Sequence, residues 1–176
     1  MAFFKEELAN VKGLVFDVDG VLSETISHLD ENGNPMRTAN IKDGFAIVAA
    51  LKAGVHVAII TGGNTIPVQK RYANLGVKHI YMGAKDKVAC LKNFLVKTGI
   101  SSDEIMYMGD DMPDYKIMKE VGLPVCPADA VPDIKNISKY ISYFDGGKGC
   151  ARDVIEQVLR AQNKWVIEET SKGVAF

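Results

Sequence analysis

Cysteine is scarce in this chain. Cys90, Cys126 and Cys150 are the only three, and no two stand at CxxC spacing. That excludes a disulfide framework and a zinc ribbon, and a reducing cytoplasm is the expected home. Long apolar runs are missing too. No stretch approaches the ~18 apolar residues of a membrane span. The N-terminal MAFFKEELANVKG carries acidic residues where a signal peptide would be apolar. Charge of one sign is also lacking: 21 Lys and Arg stand against 22 Asp and Glu, a formal net charge of −1. Sequence-independent nucleic-acid binding needs a basic surface, so no nucleic-acid partner is expected. There is no repeat, no low-complexity tract and no long linker. GxGxxG does not follow the first apolar run, which argues against a dinucleotide site.

What is present is an ordinary globular composition. Apolar residues make up 47% of 176 and charged ones 24%, which suits one domain spanning 1–176 with a core of its own. Short apolar runs at 14–18, 55–60, 79–82, 105–108 and 123–126, with a last one near 140–144, read as strands buried on both faces. Between them lie helical patterns. Phe45, Val48 and Leu51 share one face ahead of Gly54; Val88, Leu91, Phe94 and Leu95 another, stopped at Gly99; Ala151, Val154, Ile155, Val158 and Leu159 a third. The alternation predicts an α/β domain, doubly wound around a mainly parallel, Rossmann-like sheet. Ligands in such sheets bind beyond the carboxyl ends of the strands. One stretch breaks the alternation. Residues 23–42 centre on Glu31-Asn32-Gly33-Asn34-Pro35 and predict a projecting β-hairpin. Residues 162–176 read as a C-terminal tail.

The strand ends carry the chemistry. The first ends in Asp17-Val18-Asp19-Gly20. Two acids there can bind Mg²⁺, and one can be a nucleophile, although Asp-Gly is also a common solvated turn. The second ends in Thr61-Gly62-Gly63-Asn64, a hydroxyl and glycine N–H groups before a helix, which is either a phosphate cradle or a plain strand-to-helix turn. Lys87 follows the third. The fourth ends in Gly109-Asp110-Asp111-Met112-Pro113-Asp114, acids costly to crowd without a cation. All four at one sheet edge amount to phosphoryl-transfer equipment. A receiver-type signalling domain uses the same residue types, but its phosphoacceptor lies on a middle strand and its lysine after it; here the acid pair comes first.

In this order the four elements resemble the haloacid dehalogenase superfamily, and within it a capless group of sugar-acid phosphatases. Further matching stretches are 42–45, 107–111 and 146–149 with Arg152. The resemblance implies a Mg²⁺-dependent phosphatase in which Asp17 attacks phosphorus and Asp19 serves as acid and then base. It implies Asp17, Asp110 and the Asp19 carbonyl as metal ligands, and Thr61 and Lys87 on the phosphoryl oxygens. Asp111 and Asp114 stand behind them, unranked. Asp43 and Gly44 are the implied substrate contacts; Gly62 and Gly63 belong to the phosphate cradle, and Arg71, on the helix after it, is the first candidate to grip a sugar acid's carboxylate. The implied substrate is an eight-carbon acid, 3-deoxy-D-manno-octulosonate (KDO) 8-phosphate, a lipopolysaccharide precursor. A nine-carbon acid 9-phosphate comes second, because Gly63 stands where the eight-carbon group often has Arg and the nine-carbon group Glu. Neither 20–61 nor 87–110 has room for a cap domain, and capless relatives close their sites by assembling as homotetramers. A non-enzymatic binding module on the same fold would have lost one of Asp17, Asp19, Lys87 or Asp110, and none is lost.

Overall fold

The computed structural model describes residues 2–165. Six strands form one sheet: β1 Gly13–Phe16, β2 His56–Ile60, β3 His79–Tyr81, β4 Ile105–Met108, β5 Leu123–Cys126 and β6 Tyr140–Ile141. Their order is β3-β2-β1-β4-β5-β6, and every pair is parallel. The order reverses at β1, so β1 and its neighbours β2 and β4 open onto the crevice where such sheets bind ligands.

Alternation along the strands divides the core into two layers. Leu14 and Phe16 of β1, Val57 and Ile59 of β2, and Met106 and Met108 of β4 face one side, against α2 (Ile41–Lys52) and α7 (Cys150–Ala161). Val15, Ala58, Ile60, Ile105 and Tyr107 face the other, against α4 (Lys87–Thr98), α5 (Tyr115–Met118) and α6 (Pro132–Ile137). A short α1 (Ala2–Glu7) adds Phe4 to the first layer, and α3 (Ile66–Asn74) adds Val68 and Tyr72. The apolar runs were legible because both faces of each central strand are buried. No described helix is long and apolar enough to cross a membrane.

Two helix starts position the site. The Asn40 side chain accepts from the Lys42 and Asp43 N–H groups and begins α2. The Asp86 side chain accepts from Ala89 N–H and begins α4, so Lys87 is that helix's first residue. Gly99, in the left-handed region at φ +71°, ends α4 as its position predicts.

The segment expected as a β-hairpin differs from the expectation in its arms. Its turn forms, with Leu29 and Pro35 in one antiparallel bridge, but no strand flanks it, and α2 takes residues 41 and 42. Two local causes act. Pro35 has no N–H to give a ladder. The Asp30 carboxylate accepts from the N–H groups of Asn32 and Asn34, so side chain replaces backbone as the partner. Of the expected tail, 166–176 lies outside the described residues, while Trp165 stands edge-on to Phe45 at 6.0 Å.

Candidate active site

The centre of the site is a buried ion cluster at the ends of β1 and β4. Asp17 is 7% exposed, Lys87 8% and Asp114 1%. Lys87 Nζ lies 2.8 Å from Asp17 Oδ2 and 2.7 Å from Asp114 Oδ1. Asp17 Oδ1 accepts from Val18 N–H at 2.7 Å. Asp114 takes three donors: Oδ1 also accepts from the Tyr107 hydroxyl at 2.6 Å, and Oδ2 from Asp110 N–H at 3.1 Å. These bonds rank the two acids that the sequence left unranked. Asp114 fixes Lys87 and the Asp110 loop from beneath. Asp111 is exposed and accepts from Met112 N–H at the start of a single turn.

Asp17, Asp110 and Asp114 each offer a carboxylate oxygen within 4.8 Å of the others. Crowding three acids away from water raises the cost of ionising them. Burial, then repulsion from Asp114, pushes the Asp17 carboxyl up to about 7 against the pull of Lys87. Burial, then Asp114 and Asp17, pushes Asp110 up to about 8. Burial works against the Lys87 ammonium, but Asp17 and Asp114 outweigh it and hold its pKa above the usual value. An all-oxygen donor set short of positive charge fits a hard divalent cation. Asp114 accepts from three donors and Asp17 from two, so Asp17 and Asp110 keep the most acceptor capacity for it.

Gly20, at φ +73°, turns the chain beneath this cluster, and a Cβ there would collide with the Asp110 carboxylate. The turn carries Asp19 out to the rim, where its side chain is 49% exposed. There it meets a residue that the sequence reading did not single out. Arg37 clamps Asp19 through two bonds, Nε to Oδ1 at 2.7 Å and Nη2 to Oδ2 at 2.9 Å. The Asp19 bond raises the Arg37 pKa further, against burial. The guanidinium lies over Gly63, where a Cβ would stand 2.6 Å from Nη2. No local signal marks Arg37, whose place depends on how a turn-rich loop folds back.

The open cavity over the cluster is about 940 Å³ and is walled by Asp17, Asp19, Arg37, Gly62, Gly63 and Lys87, among others. Lys85 and Lys116 also line it and went unnoticed in the sequence. Thr61 is buried; its hydroxyl accepts from Gly63 N–H at 3.1 Å, and its own N–H donates to the Tyr81 carbonyl. The remaining expected contacts sit elsewhere. Asp43 is buried on α2, where Oδ1 accepts from Arg152 N–H and steadies the start of α7. Burial raises its carboxyl to about 6. Gly44 is buried beside Arg71, whose Nη2 has no partner. Arg71 lines a second cavity of about 450 Å³, more apolar, with Val18, Arg37 and Tyr72.

Comparison with known proteins gives consistent matches. A family model described as haloacid dehalogenase-like hydrolase matches residues 79–152. The 3-deoxy-D-manno-octulosonate 8-phosphate phosphatase KdsC of Salmonella typhi is 38% identical over 155 residues, 88% of this chain and 82% of that one. The crystal structure of the 3-deoxy-D-manno-octulosonate 8-phosphate phosphatase from Moraxella catarrhalis, in complex with a magnesium ion, a phosphate ion and KDO, superposes with a TM-score of 0.90 at 31% identity, covering 98% of this chain and 99% of that one. The cobalt-bound form of the Haemophilus influenzae phosphatase gives a TM-score of 0.88 at 28% identity, covering 95% and 99%.

Proposed function

We propose that this chain, which belongs to the haloacid dehalogenase-like hydrolases, is a Mg²⁺-dependent phosphatase that converts KDO 8-phosphate into KDO and inorganic phosphate. The observation that carries the reading is Lys87 held between Asp17 and Asp114, with Asp110 beside them, at the carboxyl edge of a parallel sheet. That arrangement supplies a nucleophile, a cation site and a fixed positive charge on one wall. The matching relatives support the choice of substrate.

Asp17 is the nucleophile. Its carboxylate oxygen attacks phosphorus, an aspartyl-phosphate (a mixed anhydride) forms, and the bond from phosphorus to the C8 oxygen breaks. Asp19 gives a proton to that leaving oxygen. It then takes a proton from water, which attacks the aspartyl-phosphate and releases phosphate, restoring the Asp17 carboxylate. Lys87, placed by Asp114, neutralises phosphoryl oxygens. The Thr61 hydroxyl, oriented by its bond from Gly63 N–H, cradles them with the Gly62 N–H. Asp17, Asp110 and the Asp19 carbonyl would hold the metal. When bound, Mg²⁺ offsets the repulsion between an anionic nucleophile and an anionic phosphate. Arg71 contacts the sugar acid, and Asp43 and Gly44 support that side through α2.

We read 1–176 as one phosphatase domain in the cytoplasm, assembled as a homotetramer. The site is open, and Ile26, Leu29 and Met36 of the 23–40 loop are 87%, 65% and 57% exposed. Packing these loops between copies buries that apolar surface and excludes water from the site. Sedimentation of the wild type, and of Leu29→Glu, tests the assembly: a tetramer that dissociates in the variant is expected, and a wild-type monomer overturns it. The activity is tested by phosphate release from KDO 8-phosphate beside a nine-carbon sugar-acid 9-phosphate, with Mg²⁺ and with EDTA. Mg²⁺-dependent preference for the eight-carbon substrate is expected. Preference for the nine-carbon acid transfers the assignment to that substrate.

A further inference from the structure

The Arg37–Asp19 pair conflicts with the role proposed for Asp19. A carboxyl group gripped at both oxygens by a guanidinium is not free to turn toward a leaving oxygen. The clamp must therefore open during turnover, and Arg37 then needs another anion, because its side chain is only 9% exposed and a buried unpaired charge is costly. Its position offers a choice of partner. Arg37 lines both the cavity over the acid cluster and the neighbouring cavity of Arg71 and Tyr72. The guanidinium has room at that junction because residue 63 is glycine.

We infer that Arg37 is a substrate-binding, specificity-determining residue that exchanges the Asp19 carboxylate for the carboxylate of the incoming sugar acid. This rests on the proposed substrate class. The exchange replaces one carboxylate by another on the same planar fork, so Arg37 stays paired throughout. Asp19 is released only when a carboxylate-bearing substrate is seated. Discrimination therefore enters the chemical step as well as binding: a phosphate ester without a carboxylate leaves Asp19 clamped.

The test compares kcat and KM on KDO 8-phosphate with those on the same sugar phosphate whose carboxylate has been reduced to the alcohol. Wild type, Arg37→Met and Arg37→Lys are each measured with Mg²⁺, and circular dichroism checks folding. Wild type is expected to prefer the acid by about 100-fold in kcat/KM, shared between kcat and KM. Arg37→Met should bring that ratio to within about 3-fold of one, and Arg37→Lys should fall between. A ratio unchanged in Arg37→Met overturns the inference, as does a wild type indifferent to the carboxylate. A wild type that hydrolyses the nine-carbon acid phosphate instead overturns only the choice of substrate, and the acid-to-alcohol ratio on that substrate then decides the role of Arg37.

Discussion

Two carboxylates two residues apart, Asp17 and Asp19, each hold a cation, and their surroundings are opposites. Asp17 faces Lys87 in a dry pocket whose other wall, Asp114, is itself bonded to Tyr107 and the Asp110 backbone. Every group there hangs from a strand end or a helix start. Asp19 faces Arg37, which arrives on a loop outside the sheet, tied by one isolated bridge and a few hydrogen bonds such as those of Thr38 with Ser23 and Glu24. The inner pair is built from the sheet, so its geometry is as rigid as the core. The outer pair is built from the loop, so it can change partners. Phosphoryl transfer needs the first property, and the exchange proposed for Arg37 uses the second.

The largest expected effect breaks the inner pair at its nucleophile. Asp17→Asn should lower phosphatase activity by about 10⁴-fold or more while leaving the far-UV spectrum intact. Because the variant removes a buried charge, its metal-free melting temperature should hold or rise. Substantial activity in Asp17→Asn sinks the covalent route. The next effect removes the cation. Lys87→Met should cost about 10²–10³-fold in kcat. It should also cost the metal-free protein about 2–3 kcal/mol, since Asp17 and Asp114 lose their shared partner in a dry site. Chemical denaturation reads the second quantity, and an unchanged midpoint would show that the pocket is wetter than its burial implies.

The same contrast explains what the sequence disclosed. The strands, their parallel order and the four strand-end motifs were legible because each depends on a short contiguous run: apolar residues buried on both faces, then acids, glycines or a lysine beyond them. Asp17, Lys87 and Asp110 converge because parallel strands put their ends at one edge. Choosing between Asp111 and Asp114 required knowing which side chain turns inward, a matter of one turn of chain. Arg37 was invisible because its partners, Asp19 and Gly63, lie 18 and 26 positions away and nothing periodic links them. Asp43 shows a second kind of information that the sequence did not carry: Oδ1 accepts from Arg152 N–H in the first turn of α7, and Oδ2 is buried without a partner.

A third prediction uses pH to separate the regions. Folding raises Asp17 to about 7 and Asp110 to about 8, so the folded protein binds these protons more tightly than the unfolded chain. Their contribution to stability is fully present below the unfolded carboxyl range and is lost as pH climbs through 7 and 8. The metal-free protein should be less stable at pH 9 than at pH 6, by an amount on the order of 4 kcal/mol, and should melt at a lower temperature. Mg²⁺ favours the ionised acids, so its stabilising effect should grow over the same window. Thermal melts in EDTA and in Mg²⁺ at the two pH values check this; an EDTA melting temperature that is flat or rises with pH contradicts it.

The smallest effect compares one hydroxyl from each region. Tyr107→Phe removes the donor 2.6 Å from Asp114 Oδ1, in a place that water does not reach. A bond to a buried carboxylate contributes about 1.5–3 kcal/mol, and the loss should appear in full because nothing replaces it. Thr38→Val removes the oxygen that accepts from Glu24 N–H at 3.1 Å on the exposed loop and lies 3.4 Å from Ser23 Oγ, which keeps its bond from Thr38 N–H. Water takes that place, so the stability change should stay within about 0.5 kcal/mol. The catalytic consequences should diverge differently. Tyr107→Phe loosens the acid that positions Lys87 and should lower kcat with little change in KM. Thr38→Val loosens the residue beside Arg37 and should raise KM for the sugar-acid phosphate more than it lowers kcat. If both variants moved kcat and KM in the same proportion, the division between a rigid chemical half and an adaptable recognition half would not stand.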